Sequence, residues 1–157
     1  YVKSSLDVFP IEYLNFQNNY IQVFGKDILK DLEFGSEFLR LQCEREIKGK
    51  LLLLREAFLE TSGKGRALKG LITQALPALM AIFEALLHLK KIDVPRERRE
   101  IVRAMADAFD LEHGIFEGLL DIKEDKSKLS DEESLNLFKG CLKEMRKLSK
   151  LVNALGG

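Results

Sequence analysis

Charged residues that could contact a ligand lie at helical spacing within the stretch from Ser36 to Thr61. In a helix of 3.6 residues per turn, Glu44, Lys48 and Arg55 fall in one row, bordered by leucines on both sides. Glu44 and Lys48 are a favourable i,i+4 pair. The row is therefore either a ladder of ion pairs on the helix surface or one wall of a polar groove.

Basic residues that follow this stretch extend the charged region. Lys64 lies in the turn Gly63-Lys64-Gly65 and Arg66 begins the next predicted helix, and with Lys48 and Arg55 they are candidate contacts for an anionic ligand. Ordinary solvated charge accounts for the same residues, since lysine and arginine are mostly exposed in any protein. The candidate ligand-binding set is Glu44, Lys48, Arg55, Lys64 and Arg66.

Glu84 and His88 are the pair closest to an acid–base arrangement. Their i,i+4 spacing places them side by side on a helix, where a carboxylate and an imidazole can exchange protons with a substrate. A simple surface contact gives the same spacing. The pair leaves open an enzyme with unassigned chemistry, but we identify no catalytic residue, phosphate loop or dinucleotide fingerprint.

Residue types that often bind metals form no recognisable set in this chain. Cys43 and Cys141 both fall at apolar positions of predicted helices, where a free thiol packs as a small hydrophobe. His88 and His113 have no ligand spacing to each other or to a cysteine. We therefore predict no cofactor in this chain and a reducing, cytoplasmic location.

The charge balance limits the classes of partner. Lysine plus arginine total 25 and aspartate plus glutamate total 25, so no overall field attracts nucleic acid or anionic lipid. The longest uncharged run, from Gly70 to Phe83, is shorter than the roughly 20 residues that a membrane span needs. We expect no membrane insertion and no strong nucleic-acid binding.

The hydrophobic pattern predicts a mainly α fold, an antiparallel bundle of four to five helices. In the long helix from Ser36 to Thr61, one face is apolar at spacings of three and four, and a second apolar stripe lies beside it. The first face comprises Cys43, Ile47, Leu51, Leu54 and Phe58, and the second Leu41, Leu52 and Leu59. Later helices are predicted at about 66–91, 96–109, 110–122 and from residue 130 onward. We expect the first long helix to be the hub on which the others pack.

Local signals predict where these helices begin or change direction. Ser36 is the expected cap of the first long helix, and Ser130 with Glu133 matches a capping box. Pro77 lies inside the second long helix, where it removes a backbone donor and predicts a bend near Thr73.

The first 34 residues differ in composition and pattern from the rest of the chain. β-Branched and aromatic residues surround an asparagine-rich centre at 15–19, which predicts a short β-hairpin with strands near 8–14 and 20–24. The pattern at 26–34 predicts a short helix. An isolated hairpin is only marginally stable in water, so we interpret the predicted hairpin as edge strands of a larger sheet whose other strands are not in this sequence.

Residues 8–14, 25–29 and 39–51 resemble the rear half of predicted bacterial nucleotidyltransferase-fold proteins. In these, a small polymerase-β-like sheet domain precedes an all-helical domain, which is similar to the substrate-binding bundles of kanamycin-nucleotidyltransferase-like enzymes and to HEPN helical domains. The resemblance implies that residues 1–34 are the tail of a sheet domain and residues 35–157 a helical bundle domain.

The same resemblance implies a place for Glu12. The family holds Mg²⁺ and a nucleotide with a Gly-Ser turn, two closely spaced carboxylates and a third carboxylate on a later strand. Only Glu12 matches the third, and an edge-strand glutamate facing water is its alternative. Mg²⁺ and nucleotide are therefore expected only in a full-length parent. The HEPN ribonuclease pattern, an arginine several residues before a histidine, has no match at His88 or His113.

These observations predict a non-catalytic helical domain that binds a substrate or a partner, with a nucleotide or another anionic compound as the expected ligand. The alternative is a structural helical domain that forms a homodimer through a helix face and has no ligand site. Whether the parent transfers a nucleotide is left open by the sequence.

Overall fold

The structure is a computed structural model that describes residues 3–156. Over this range a 3₁₀ turn at Lys3–Ser5 precedes six α-helices. They are α1 (Pro10–Asn19), α2 (Ser36–Thr61), α3 (Gly65–Leu89), α4 (Arg98–Ala108), α5 (His113–Lys123) and α6 (Asp131–Ala154). The mainly α prediction is confirmed. Helices α2 to α6 are the five predicted ones, and α1 is additional.

The predicted β-hairpin is wrong, because the described part of the chain contains no strand and residues 10–19 form α1. Pro10 occupies the first helical position, where its missing N–H has no helical partner to lose. Ile11 and Leu14, three residues apart, are buried in the common core. Helix α1 packs against α2 and α3, and this burial selects the helix for a segment whose local pattern also suits a strand.

The short helix predicted at 26–34 is replaced by turns. Asp27 accepts hydrogen bonds through Oδ1 from the backbone N–H groups of Leu29 (3.2 Å) and Lys30 (3.0 Å), the pattern of an aspartate turn. Gln17 of α1 donates through Nε2 to the carbonyls of the same two residues, at 2.8 and 3.0 Å. Side chains therefore satisfy the backbone groups of Leu29 and Lys30, which a helix would otherwise pair.

The hub of the fold is α3, whereas the sequence had suggested α2. Helix α3 packs against each of the other five helices, while α2 packs mainly against α1, α3 and α6. From Leu79 onward α3 is buried on most of its circumference, and Phe83 contacts Phe116 of α5 edge to face at 5.3 Å between ring centroids. A helix that is apolar all round belongs at the centre of a bundle.

By length and composition, α3 would also suffice to cross a membrane, since its most apolar window has a mean hydropathy of 1.7. Half of that window is buried inside the protein. The central helix of a folded bundle meets the same criteria, because it must be apolar on several sides. The predictions of a cytoplasmic location and of no membrane insertion stay predictions.

The predicted core face of α2 is confirmed, and its second apolar stripe is exposed. Cys43, Ile47, Leu51 and Leu54 are buried, and Phe58 is partly buried in the same core. The second stripe points to solvent, with exposed fractions of 45% for Leu41, 57% for Leu52 and 77% for Leu59. Helix α2 therefore has one face in the core and one apolar face that no residue of the range 3–156 covers.

Ion pairs join α4 to α5 in an antiparallel arrangement. Arg99 contacts Asp121 at 2.7 Å and Glu124 at 3.3 Å, and Arg103 contacts Glu117 one turn further along. Exposed pairs of this kind contribute up to about 1 kcal/mol each, so they fix the register more than the stability.

A buried carboxylate anchors the start of α5. Glu144 of α6 is 5% exposed and accepts a hydrogen bond at 3.0 Å from the backbone N–H of Glu112, which precedes the first residue of α5. Helix α5 begins at His113, three residues later than predicted. The left-handed conformation of Asp110 interrupts the helical path after α4, and the hydrogen bond from Glu112 to Glu144 holds the new start in place.

The predicted N-cap residue is confirmed for α6 and is wrong for α2. Ser130 accepts from the Glu133 N–H at 3.1 Å, and Glu133 accepts from the Ser130 N–H at 2.7 Å, which confirms the capping box. The capping role predicted for Ser36 is wrong, because Gly35 is the N-cap and no side chain caps that helix.

We predict that Ser130→Ala lowers the free energy of unfolding by about 1 kcal/mol, because an amide at the start of α6 loses its acceptor. The matched control is Ser36→Ala, which removes the same hydroxyl from a helix start where it caps nothing. Urea unfolding followed by circular dichroism measures both. Equal losses in the two variants would contradict the assigned capping box.

Candidate functional site

A polar cleft opens where the C-terminal end of α1 and the N-terminal end of α4 meet α3. It has two adjoining parts with volumes of about 400 and 680 Å³, which share lining from α1, α3 and α4. Its polar lining comprises Asn15, Asn18 and Asn19 of α1, Glu84 and His88 of α3, Asp93 and Arg96 of the α3–α4 loop, Arg98 of α4 and Lys123 of α5. Four helices and one loop thus contribute polar groups to this polar cleft.

Glu84 is the half-buried carboxyl of the polar cleft. Burial raises its pKa above the ordinary value for glutamate, and hydrogen bonds from the side chains of Asn18 and Asn19 offset part of that rise. Carboxyls with perturbed pKa values collect in binding and catalytic sites, although structural contacts also produce them.

Pro77 explains why a lysine reaches this cleft. Proline has no N–H, so the carbonyl of Thr73 one turn earlier loses its helical partner. Lys123 of α5 donates to that carbonyl through Nζ at 3.2 Å. Helix α3 runs continuously through Pro77, and the bend that we predicted there stays a prediction. The sequence indicated the orphan carbonyl but not its donor, which lies 50 residues away.

Neighbouring arginines at the start of α4 differ in their partners. Arg99 is held by Asp121 and Glu124, whereas Arg96 and Arg98 are exposed and form no ion pair within residues 3–156. No side chain caps this helix start, whose backbone N–H groups also favour negative charge. Arg96 and Arg98 are therefore available for an external anion.

The predicted row on α2 forms ion pairs within the helix. Glu44 contacts Arg40 at 3.0 Å and also pairs with Lys48. The hydrogen bond from Lys48, followed by that from Arg40, lowers the pKa of Glu44. This geometry is the ladder that the sequence offered as one of its two interpretations, and Arg55 lies exposed further along α2.

The two basic residues after α2 lie beside an acidic helix start. Lys64 and Arg66 are exposed and flank Gly65, which packs so closely on Asp131 that an added Cβ would overlap it. The first turn of α6 carries three carboxylates, so an anion near Lys64 would meet repulsion. None of the five residues of the predicted α2 set lines the polar cleft. That set stays a prediction.

Glu12 lies on a helix instead of the strand on which its metal-binding role was based. It occupies the first turn of α1 and accepts a hydrogen bond from Gln42 Nε2 at 2.8 Å. Gln42 is 5% exposed, and its Oε1 accepts from the backbone N–H of Ile11 at 2.8 Å. Within the described residues, no group of three or more histidine, cysteine, aspartate or glutamate side chains is placed to hold a metal ion.

Glu84 and His88 both line the larger part of the polar cleft. His88 is exposed, and its ring meets Phe34 edge to face at 6.3 Å between centroids. The acid–base pair considered from the sequence therefore belongs to the same surface feature as Arg96. Sequence reasoning missed the arginines of the cleft, because a charged stretch at a helix start usually faces solvent without a ligand.

Comparisons with protein-family models, with curated proteins and with solved structures found no match to this chain. The nucleotidyltransferase resemblance and the HEPN-like description of the helical domain stay predictions.

We predict that Glu84→Gln stabilises the protein at neutral pH. Folding raises the pKa of Glu84, so its protonated form favours the folded state below the unfolded pKa, and this contribution is lost as pH rises through the folded pKa. At neutral pH the charged Glu84 therefore destabilises the fold, and a neutral glutamine removes that cost. The difference in stability between the variant and the unmodified protein should shrink as pH falls towards about 4, where Glu84 is itself protonated. Thermal unfolding midpoints across this pH range measure it, with Glu60→Gln, at an exposed position of α2, as the control. A gain independent of pH would contradict the assignment.

We predict that Gln42→Leu lowers the free energy of unfolding by about 1–3 kcal/mol, since it leaves the N–H of Ile11 buried without an acceptor. Hydrogen exchange should show faster loss of protection at Ile11 than in α6. Glu12→Gln keeps an acceptor for Gln42 and should change little. If both variants behave alike, Gln42 does not anchor α1.

Proposed function

We propose that this chain is a binding domain for a small anionic ligand, and that the ligand occupies the polar cleft between α1, α3 and α4. The observation that carries the proposal is the convergence of three cations on one cleft: Arg96 of the α3–α4 loop, Arg98 of α4 and Lys123 of α5. None of the three has an ion pair within residues 3–156, and Lys123 donates to the Thr73 carbonyl, so their charge is not neutralised by the described chain.

The chemistry of the lining favours a phosphate-bearing ligand. A guanidinium presents a planar fork of donors that matches phosphate oxygens in bidentate geometry, and Arg96 and Arg98 both lie beside the open start of α4. The opposite wall supplies amides from Asn15 and Asn19, which can donate to or accept from the neutral part of a ligand. A nucleotide combines these two parts, in agreement with the ligand that the resemblance implies.

Glu84 gives the cleft a way to select among ligands. A carboxylate in a site with two arginines repels an anion that fills the whole cleft, and it accepts a hydrogen bond from a hydroxyl or an amino group. We expect the anionic end of the ligand at Arg96 and Arg98, and its neutral, donor-bearing end at Glu84.

The experiment is a titration of the protein with ATP, ADP and inorganic phosphate, followed by backbone amide resonances. Shifts are expected at the C-terminal end of α1, around Glu84 and at the start of α4. Arg96→Ala with Arg98→Ala should weaken ATP binding at least about tenfold, since each charge-assisted contact contributes about 1.5–3 kcal/mol.

The matched control is Arg55→Ala with Lys64→Ala, which removes two exposed cations from the α2 set. We expect that control to bind as the unmodified chain does. Loss of binding in the control alone would place the ligand at the α2 set and overturn the proposal. Absence of shifts at the cleft with all three compounds would overturn it as well.

A further inference from the structure

The outer face of α2 carries large apolar side chains that nothing in the described chain covers. We call it the outer stripe, and its apolar members are Phe38 (48% exposed), Leu41 (45%), Leu52 (57%) and Leu59 (77%). Arg45 lies among them with 67% of its side chain exposed. Several large exposed apolar side chains aligned on one helix face indicate an interaction site more often than singly scattered ones do.

The spacing of the outer stripe is that of a helix–helix seam. Phe38, Arg45, Leu52 and Leu59 are each seven residues apart, and Leu41 follows Phe38 by three. Positions repeating at seven stay on one side of a helix over its whole length. Lys48 and Arg55 occupy the positions three residues after Arg45 and Leu52, so the apolar members of the seam are those of the seven-residue repeat together with Leu41. The partner that fits the outer stripe is therefore another helix.

We propose that α2 pairs with α2 of a second copy of this chain, antiparallel about a twofold axis. The midpoint of the outer stripe falls between Lys48 and Gly49. Phe38 of one copy then faces Leu59 of the other. An added Cβ at Gly49 would have no neighbour within 4 Å among the described residues, so the two helices can approach closely at the axis.

One pair of opposite charges favours this orientation, in which each Lys48 beside the axis keeps Glu44 of its own helix as a partner. In the antiparallel arrangement Arg45 faces Leu52 of the second copy, and Glu56 lies one turn beyond that leucine, within reach of the guanidinium. The twofold axis repeats the pair, so two ion pairs flank the apolar contacts. In a parallel, in-register pair, Arg45 would face Arg45 of the second copy, which is unfavourable. Among the described residues, the ion pair of Arg45 is a loose contact to Glu46 at 4.0 Å.

The size of the seam sets the expected strength. Helix α2 has 26 residues and is therefore about 39 Å long. A contact made by one helix from each copy lies at the lower end of the size range of specific interfaces, so we expect reversible association that depends on protein concentration. The polar cleft is lined by α1, α3, α4 and α5, so the pairing leaves it open.

The first test is sedimentation velocity over about a hundredfold range of protein concentration. The unmodified chain should shift from monomer to dimer, and Leu52→Asp should weaken the dimer at least about tenfold, since it places a charge in an apolar contact. The matched control is Leu53→Asp, whose leucine is 56% exposed but lies towards α3, beside Ala57 and Leu71. A chain that stays monomeric throughout, or equal weakening by both variants, would overturn the proposal.

The second test exchanges the charges. Arg45→Glu alone and Glu56→Arg alone should each weaken the dimer, and the double variant should restore it, because the pair reforms with reversed signs. Circular dichroism melting of each variant shows whether the monomer remains folded. Failure of the double variant to recover, with the monomer intact, would show that Arg45 and Glu56 do not meet.

The third test determines orientation. A mixture of Phe38→Cys and Leu59→Cys chains should form a disulfide-linked heterodimer, because those positions face each other only in the antiparallel arrangement. The native thiols do not interfere, since Cys43 and Cys141 are buried and burial raises the pKa of each to about 12. Cross-linking of each variant to itself in preference to the mixture would indicate a parallel pair and overturn the proposed geometry.

Discussion

The burial of α3 is the constraint on which the rest of the structure depends. Every other helix packs against it, and its second half is apolar on nearly all sides, so the other five helices must cover it together. Leu86 and Leu87, adjacent in sequence and on different sides of the helix, are both fully buried. Each neighbouring helix needs only one apolar face, which leaves its opposite face free for other contacts.

The proline inside α3 lies beside the polar cleft. Pro77 removes a backbone hydrogen bond on the exposed side of the helix, and the freed carbonyl of Thr73 is satisfied by Lys123. Such a defect is costly in an apolar environment, where an unsatisfied carbonyl has no partner. It is tolerated at the polar cleft because a cation from α5 reaches it, and that cation joins Arg96 and Arg98 in the cleft lining.

Helix α2 carries apolar residues on two separate faces, one buried and one exposed. Its core face, with Ile47 and Leu54, holds the bundle together, while the outer stripe, with Leu52 and Leu59, remains exposed. Glu44 lies between the two faces and is engaged by Arg40 and Lys48, which separates the core from the outer stripe with paired charge. The proposed ligand site at the polar cleft and the proposed pairing surface along α2 therefore lie on different parts of the molecule.

The sequence by itself determined the long helices and the start of α6, because helical periodicity and a capping box act between residues three or four apart. Only the tertiary structure decided the state of residues 10–19. Their local pattern suits a strand, but Ile11 donates to Gln42, 31 residues away, and this contact together with core burial selects a helix. The polar cleft was decided in the same way, since Lys123 and Thr73 meet only when α5 packs on α3. Contacts between distant segments leave no periodic trace in the sequence, so local patterns could not reveal them.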